Sequence, residues 1–307
     1  MAAPQRIVVI AGPTGAGKTG LSLALAERFG AEIVNADSMQ VYRHLEVGTA
    51  KPTLAERTRV RHHLIDVADP DQHFDAAAYL RLARSLIADL DRRGVPVIVV
   101  GGTGLYLRSL LYGLFPGPGR DPEIRTRLMA EATELGRPAL HARLARSDPA
   151  AAARLHPHDL VRLVRALEVF ELTGRPISDF QREHGLKERP YRTLFLCLDL
   201  PRDELYARIE ARTKEMFETG LVREVRGLLD RGYSPELRPL QAIGYKETVG
   251  HLEGRLTLAE AIRETIKHTR RYAKRQLTWY RAQPEVVWLS PAESGRAIKL
   301  AEDFWGQ

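Results

Sequence analysis

Apolar runs alternate with helical repeats along much of the chain, and this alternation predicts the fold class. Residues 7–10 are all β-branched, which is typical of a strand that is buried on both faces. Residues 75–93 instead repeat apolar side chains at helical spacing, on the stripe Tyr79, Leu82, Leu86 and Leu90. The predicted strands cover residues 7–10, 32–36, 95–100 and 191–200. Strands that are separated by helices predict an α/β fold with a mostly parallel sheet.

The first predicted strand leads directly into a glycine-rich segment with the spacing G-x-x-x-x-G-K-T, and a helical pattern follows. This is the context of a phosphate-binding loop, in which glycines let backbone N–H groups turn towards an anion. The helix N-terminus adds partial positive charge and Lys18 adds a full charge, while the Thr19 hydroxyl can ligate Mg²⁺. We predict diphosphate or nucleotide binding by Gly12, Pro13, Thr14, Gly15, Ala16, Gly17, Lys18 and Thr19.

Two other segments follow predicted strands, at the sheet edge where open α/β sheets bind ligands. Asp37 comes directly after residues 32–36, and this position favours a catalytic or substrate role over a simple helix cap. A Gly-Gly-Thr-Gly segment comes after residues 95–100, where the glycines permit a close approach of a ligand and Thr103 offers a hydroxyl. We expect both segments to lie beside the phosphate loop.

A change of pattern near the middle of the chain predicts a second domain. Residues 113–120 are rich in proline and glycine, and residues 121–184 show helical patterns without a strand. Because the strand pattern returns at residue 191, we interpret the helical stretch as an insertion. The predicted parts are a P-loop NTPase-like α/β core in residues 1–118, an all-helical insertion domain in 119–188, and the second part of the core with basic C-terminal helices in 189–307.

Composition narrows the class of protein further. The 307 residues carry a net charge of +7 with a pI near 9.6, which favours a polyanionic partner. No run approaches the roughly 18 apolar residues of a membrane span, and the initial residues MAAPQR lack an apolar signal-peptide core. The single cysteine, Cys197, excludes an intrachain disulfide and favours a buried structural role, and the pair His62 and His63 has no third zinc ligand at useful spacing. These features predict a cytoplasmic protein with no membrane partner.

Several arginines allow two interpretations. Arg162 and Arg165, three residues apart on a predicted helix, can form a solvated basic face or contact a phosphate backbone. Arg208 and Arg212 can face one anion or pair with glutamates of their own helix. We predict that the cations of the last long helix lie around most of its circumference, with aromatic residues interleaved among them. That combination favours nucleic acid, because cations track phosphates and rings stack on unpaired bases.

Seven motifs now stand in one order along residues 7 to 281: GPTGAGKT, DSMQVY, GTAKP, GGTGLY, RALEV, QAIGYKE and TRRYAKRQLTW. Together they resemble the bacterial tRNA dimethylallyltransferases, also called the tRNA isopentenyltransferase or IPP transferase family. The resemblance implies a P-loop core with a helical insertion that binds tRNA. It also implies transfer of a dimethylallyl group from dimethylallyl diphosphate to N6 of adenosine 37, next to the anticodon. We therefore expect a cytoplasmic, monomeric prenyltransferase that uses Mg²⁺.

The resemblance also assigns roles to individual residues. Asp37 would accept the N6 proton, Thr103 would contact the target nucleotide or the diphosphate, and Arg212 would lie near the diphosphate. Some relatives have arginine where this chain has Gln241, so a contact there is expected to differ. The implied tRNA contacts are Asp37, Ser38, Met39, Gln40, Thr103, Arg125, Val161, Arg162, Leu163, Val164, Arg165, Gln241, Ala242, Ile243, Gly244, Tyr245, Lys246, Arg275, Gln276, Leu277, Thr278, Trp279, Tyr280, Arg281 and Ala282.

Three other functions use the same loop. A small-molecule kinase would bind ATP there, with the arginines of the insertion as a lid. A non-catalytic RNA-binding NTPase would bind RNA without forming a prenyl product. An adenylate isopentenyltransferase would perform the same chemistry on a free nucleotide. The basic, aromatic C-terminal helix argues against the kinase, and together with the insertion it favours tRNA over a free nucleotide. The RNA-binding NTPase is distinguished instead by RNA binding that would survive Asp37→Ala.

Overall fold

The computed structural model describes residues 4–185 and 187–306. These residues form two compact units, one built from the chain up to Leu111 together with the chain from Arg189 onward, and the other from Tyr112–Glu188. The insertion had been predicted to start at residue 119, within the second of these units. We refer to them as the α/β unit and the helical unit.

The α/β unit contains one six-stranded sheet in which every neighbouring pair of strands is parallel. The strand order is β3-β2-β4-β1-β5-β6. The strands are β1 Gln5–Ala11, β2 Glu32–Asn35, β3 His62–His63, β4 Val97–Val100, β5 Tyr191–Leu198 and β6 Val287–Leu289. This arrangement confirms the predicted α/β class with a parallel sheet.

Strand β1 lies in the middle of the sheet, which explains its unbroken β-branched run. It pairs with β4 on one side, where Val8 lies opposite Ile98, and with β5 on the other, where Val8 lies opposite Leu194. Its central residues are fully buried. The chain therefore returns after the helical unit to the strand next to β1. Within β5, burial raises the pKa of the Cys197 thiol to about 12, as expected for a structural cysteine.

Helices surround this sheet and connect its strands. In the α/β unit they are α1 Lys18–Phe29, α2 Leu54–Arg59, α3 Ala76–Arg92, α4 Gly104–Tyr112, α10 Arg202–Thr219, α11 Leu221–Asp230, α12 Tyr245–Leu252, α13 Leu258–Arg281 and α14 Ser294–Gly306, with α4 running to the unit boundary. The predicted stripe of α3 is partly wrong, because Leu82 is 43% exposed while Ala83 and Ile87 are buried. Tyr79 and Leu90 are buried as predicted, but the two positions between them are shifted by one residue. Ala83 and Ile87 are buried in place of Leu82 and Leu86.

The described residues of the helical unit contain helices and no strand, as predicted. The helices are α5 Pro122–Glu134, α6 Arg137–Ser147, α7 Pro149–Ala152, α8 Leu160–Thr173 and α9 Ile177–His184. Their leucine and alanine side chains form a separate core, to which α8 contributes Leu163, Val164 and Leu167. The unit thus has its own core, which fits an insertion.

Candidate active site

A cavity of about 480 Å³ lies at the carboxyl ends of β1, β2 and β4, inside the α/β unit. Three predicted segments line it: the phosphate loop, Asp37 after β2, and Gly101 and Gly102 after β4. Helices α10 and α13 complete the wall with Arg212, Tyr272 and Gln276. The parallel sheet therefore brings together segments that are far apart in the sequence, as the strand-end argument predicted.

The phosphate loop owes its shape to three glycines. Gly12, Gly15 and Gly17 have φ angles of +140°, +87° and +89°, which L residues with side chains rarely adopt. At Gly12 a Cβ atom would also come within 2.7 Å of the Leu198 carbonyl oxygen. Helix α1 begins directly after Gly17, so its N-terminal backbone N–H groups and positive dipole end lie at the cavity.

Lys18 is folded into this loop. Its Nζ atom donates hydrogen bonds to the carbonyl oxygens of Gly12, at 3.0 Å, and Pro13, at 2.9 Å. Burial, together with the nearby charge of Arg212, lowers the pKa of Lys18 to about 8, although Asp37 acts in the opposite direction. An anion in the loop would favour the charged ammonium, so diphosphate binding and the protonation of Lys18 are coupled.

Arg212 reaches the same loop from α10. Its Nη2 atom donates to the Thr14 hydroxyl, and burial lowers the pKa of Arg212, while Asp37 again raises it. Arg208, one turn earlier, also lines the cavity, but its guanidinium pairs with Glu204 at 2.7 Å. Arg208 therefore pairs with a glutamate of its own helix, whereas Arg212 contacts the phosphate loop.

Asp37 has one carboxylate oxygen bound to backbone and one that faces no hydrogen-bond partner among the described residues. Oδ1 accepts from the backbone N–H groups of Met39, at 2.8 Å, and Gln40, at 3.4 Å. The turn fixes the carboxylate at the cavity, close enough to Lys18 and Arg212 to affect their pKa values. Asp37 thus caps a turn and also leaves Oδ2 available to accept a proton.

Thr103 and Gln40 have their polar atoms engaged in holding loops. The Thr103 hydroxyl accepts from the Ser38 N–H at 2.9 Å and is also hydrogen-bonded to Tyr272, whose pKa is raised by burial. The Gln40 amide donates to the carbonyl oxygens of Thr49 and Ala50, at 3.1 and 3.2 Å. Gln40 therefore lines the cavity, whereas Thr103 lies next to the lining residue Gly102, and both residues link loops around the cavity.

Helix α13 differs from the expectation of cations around most of its circumference. At 100° per residue, its cations from Arg263 to Arg281 lie within an arc of about 140°. The opposite side is buried and carries Gln276 and Tyr280, so these two predicted tRNA contacts point away from the exposed face. Trp279 packs against Gly104, where a Cβ atom would lie 2.7 Å from the indole ring. The exposed predicted contacts of this helix are Arg275, Thr278 and Arg281.

In the helical unit, two of the predicted tRNA-binding arginines contact a buried carboxylate. Glu168 is fully buried and accepts from Arg125 at 3.1 Å and from Arg165 at 2.8 Å. Arg165 also donates to the Pro118 carbonyl at 2.8 Å. The solvated-face interpretation is therefore wrong for Arg165, which fastens the Pro/Gly segment to α8. Arg162 remains exposed, beside Asp159.

Other predicted contacts are distributed between core and surface. Leu163, Val164 and Tyr245 have buried side chains, so a tRNA contact there would not involve an exposed side chain. Val161 is 70% exposed. The Gln241 amide donates to the Pro235 carbonyl at 2.9 Å, and Ala242 to Gly244 form the turn before α12. For Met39, Lys246, Leu277, Ala282 and the residues above, tRNA contact stays a prediction.

Sequence reasoning missed a carboxylate that shapes the cavity from a distance. Glu224 on α11 accepts from the backbone N–H groups of Glu46, Val47 and Gly48, at 2.9, 2.7 and 3.3 Å, and from the Tyr245 hydroxyl at 2.5 Å. This holds the GTAKP loop, whose Thr49 and Ala50 line the cavity. No local signal marks Glu224, because its three backbone partners lie more than 170 residues away along the chain and Tyr245 lies 21 residues away.

Two features are absent from the described residues. Residues 4–185 and 187–306 contain no group of three histidine, cysteine or acidic side chains that could hold a metal ion. Over the same part of the chain, no helix has the length and apolar character needed to span a membrane.

Comparison with known proteins agrees with the geometry. Residues 40–283 match the sequence model of the IPP transferase family. The chain belongs to the IPP transferase family. A tRNA dimethylallyltransferase of Syntrophobacter fumaroxidans is 53% identical over 288 residues, which is 94% of this chain and 84% of that protein. The family match begins after the phosphate loop and Asp37, whereas this longer relationship covers almost the whole chain.

Two solved structures are also similar to this member of the family. One is a full-length tRNA isopentenylpyrophosphate transferase from Bacillus halodurans, at 39% identity and a TM-score of 0.73, covering 98% of this chain and 96% of that one. The other is a eukaryotic dimethylallyltransferase acting on tRNA, at 30% identity and a TM-score of 0.81, covering 98% and 80%. The α/β unit with its phosphate loop is therefore the P-loop NTPase-like core of this family.

Proposed function

We propose that this protein transfers a dimethylallyl group from dimethylallyl diphosphate to N6 of adenosine 37 in tRNA. The observation that carries the proposal is that one cavity joins a phosphate loop to a carboxylate with a free oxygen. Membership of the IPP transferase family and relatives named tRNA dimethylallyltransferase support the substrate pair.

The phosphate loop, Lys18 and Arg212 stabilise the diphosphate as it leaves. Negative charge develops on the bridging oxygen as the bond to the allylic carbon breaks. Preorganised cations in a site that excludes water stabilise this charge strongly, and such an effect is worth roughly 10²–10³ in rate per group. Lys18 and Arg212 are both half-buried and already held at the loop.

Mg²⁺ fits the same part of the cavity. The Thr19 hydroxyl lines the cavity and forms no hydrogen bond with another described residue, and Asp37 lies on the same wall. Mg²⁺ is commonly bound by one or two protein oxygens together with substrate phosphates, so a three-carboxylate cluster is not required. When bound beside Thr19, Mg²⁺ supplies further positive charge to the diphosphate.

Asp37 acts as the general base. The N6 lone pair forms a bond to the allylic carbon while the carbon–oxygen bond of the diphosphate breaks. The proton lost from N6 goes to Oδ2 of Asp37, the oxygen that the turn leaves available. A positioned base contributes about 10²–10⁴ to such a rate. The products are N6-dimethylallyladenosine and diphosphate, and the proton is then released to water.

The exposed cations of α13 bind the RNA backbone around the target base. The adenosine must leave its stack, which costs a few kcal/mol and less in a loop than in a duplex. Contacts with loop phosphates offset that cost. In line with the resemblance to the family, we propose a monomeric enzyme that acts on tRNA in the cytoplasm.

A single assay tests this function. The protein is incubated with Mg²⁺, labelled dimethylallyl diphosphate, and either an anticodon stem–loop or free AMP, and label is sought on the nucleoside. A stem–loop with guanosine at the target position is the matched control.

We expect label on the adenosine stem–loop alone. Label on AMP would assign the protein to free nucleotides instead. ATP hydrolysis without any label would mean that the phosphate loop binds ATP and would refute the proposal.

A further inference from the structure

Three side chains at every fourth position of α13 point into the α/β unit. Gln276 is 6% exposed, Tyr280 is fully buried, and Tyr272 lines the cavity one turn earlier. Residues four apart lie on one face of a helix, so these three form one row. We call Tyr272, Gln276 and Tyr280 the inner stripe.

Gln276 joins the phosphate loop to the loop after β4. Its Oε1 atom accepts from the Thr14 N–H at 3.0 Å, and its Nε2 atom donates to the Gly102 carbonyl at 2.8 Å. One accepted and one donated bond fix the orientation of the amide. A Cβ atom at Gly102 would lie 2.3 Å from Nε2, so glycine leaves the room that this contact needs.

The tyrosines of the inner stripe contact the same loop as Gln276. The Tyr272 hydroxyl is hydrogen-bonded to Thr103, and the Tyr280 hydroxyl donates to the Gly101 carbonyl at 3.4 Å. The inner stripe thus contacts three consecutive residues after β4, and through Gln276 it also contacts the phosphate loop.

The outer face of the same helical turns carries unneutralised charge. Arg271, Lys274 and Arg275 are exposed and form no salt bridge with another described residue. The guanidinium of Arg275 also lies 5.6 Å from the centre of the Tyr272 ring. RNA phosphates bound to these cations would therefore restrain the turns that carry Tyr272 and Gln276.

We propose that Gln276 is a positioning residue, and that through the inner stripe α13 couples RNA binding on its outer face to diphosphate binding in the loop. This inference rests on the function proposed above. Gln276 accepts from the Thr14 N–H while Arg212 donates to the Thr14 hydroxyl, so α13 and α10 both hold the loop at Thr14. By linkage, each ligand must tighten the other by the same factor.

The test measures the Kd of inorganic diphosphate with Mg²⁺ by calorimetry, with and without the anticodon stem–loop. In the unmodified protein we expect the stem–loop to tighten diphosphate binding at least about fivefold. Gln276→Met keeps the volume of the side chain but removes both hydrogen bonds. It should weaken diphosphate binding alone about tenfold and reduce the tightening factor to below about two.

A matched control comes from the same region. Gln283→Met makes the same change just beyond the end of α13. Among the described residues, the Gln283 side-chain amide bonds only to the Trp279 carbonyl, at 3.3 Å, so the factor by which the stem–loop tightens diphosphate binding should stay at its original value. Tyr272→Phe removes only the hydroxyl that holds Thr103, and it should lower the factor about twofold to threefold. That variant keeps the proposal testable if Gln276→Met does not fold.

Two results would overturn the proposal. One is a stem–loop that leaves the diphosphate Kd of the unmodified protein unchanged. The other is a Gln276→Met or Tyr272→Phe protein in which the stem–loop tightens diphosphate binding as much as it does in the unmodified protein. Failure of the proposed function is distinguishable, because it would remove product formation in the unmodified protein, whereas failure of the coupling alone would leave labelled stem–loop.

Discussion

The cations of the cavity and those on the outer face of α13 stand in opposite surroundings. Lys18 and Arg212 are half-buried, bonded to the phosphate loop, and have lowered pKa values. Arg271, Lys274 and Arg275 are exposed and have no salt-bridge partner among the described residues. A half-buried cation in one fixed geometry suits one defined anion, whereas exposed cations suit the repeating charge of a polyanion.

The helical unit adds a third kind of cation, which shows that arginine content alone does not mark an RNA surface. Arg125 and Arg165 share the buried carboxylate of Glu168 and stabilise the unit from within. This one carboxylate offsets one of their two positive charges inside the unit. The environment of each cation, rather than its position in an arginine-rich segment, therefore indicates what it binds.

Asp37→Asn should give the largest effect, and it separates chemistry from both kinds of binding. The amide keeps the turn but cannot take the N6 proton, so we expect turnover to fall at least about a hundredfold. The Kd for the stem–loop should stay within about twofold of its original value. The Kd for diphosphate should stay within about twofold or fall, because the substitution removes a negative charge from the cavity. Single-turnover kinetics and calorimetry measure these quantities. Turnover within tenfold of the original would exclude Asp37 as the base.

Lys18→Met tests the cavity half of the comparison. Loss of this charge should lower kcat/KM for dimethylallyl diphosphate by about 10²–10³, since the leaving diphosphate loses a preorganised cation. Binding of the stem–loop alone should not change. Lys299→Met, at an exposed lysine of α14, is the matched control. An equal loss in both variants would contradict the assignment of Lys18 to the diphosphate.

The outer-face half is tested by the triple variant Arg271→Gln, Lys274→Gln and Arg275→Gln. We expect the Kd for the stem–loop to rise about tenfold or more, and the slope of log Kd against log salt to fall by about 2, because three counterion-releasing contacts disappear. Filter binding across a salt series measures both. The double variant Arg263→Gln and Lys267→Gln removes cations of the same helix that pair with Glu260 and Glu264, and it should change the slope much less. Equal slopes for the two variants would contradict the assignment of RNA binding to Arg271, Lys274 and Arg275.

The smallest expected effect is the uptake of a proton by Lys18 when diphosphate binds. Because the folded pKa, about 8, lies below the ordinary value of 10.5, the unfolded chain holds more protons between these pH values, and the free energy of unfolding rises with pH there. A bound diphosphate raises the pKa again. Calorimetry at pH 8.5 in two buffers of different ionisation enthalpy should therefore report an uptake of about half a proton or more, which Lys18→Met abolishes. Equal heats in both buffers would contradict this.

Several parts of the fold and the site are local properties of the sequence. The β-branched run of β1, the glycines of the phosphate loop and the helical patterns of residues 121–184 each act over a few residues, so pattern and spacing were enough to predict them. Asp37 was predicted to lie at the cavity because the carboxyl ends of parallel strands meet at one edge. The buried stripe of α3 was partly wrong, because its side chains meet a core whose position the periodicity alone does not specify.

What only the tertiary structure decided is which distant residues share a contact. The Thr14 N–H and Gln276 are 262 positions apart, and Arg212 is 198 positions from the Thr14 hydroxyl that it binds. In the same way, burial divides the arginines into cavity, core and outer-face groups although their local sequences look alike. The sequence by itself determined the loop, the strands and the family, because backbone geometry depends on neighbours. The pairing of polar side chains depends on how the sheet and α13 pack, and packing is a property of the whole fold.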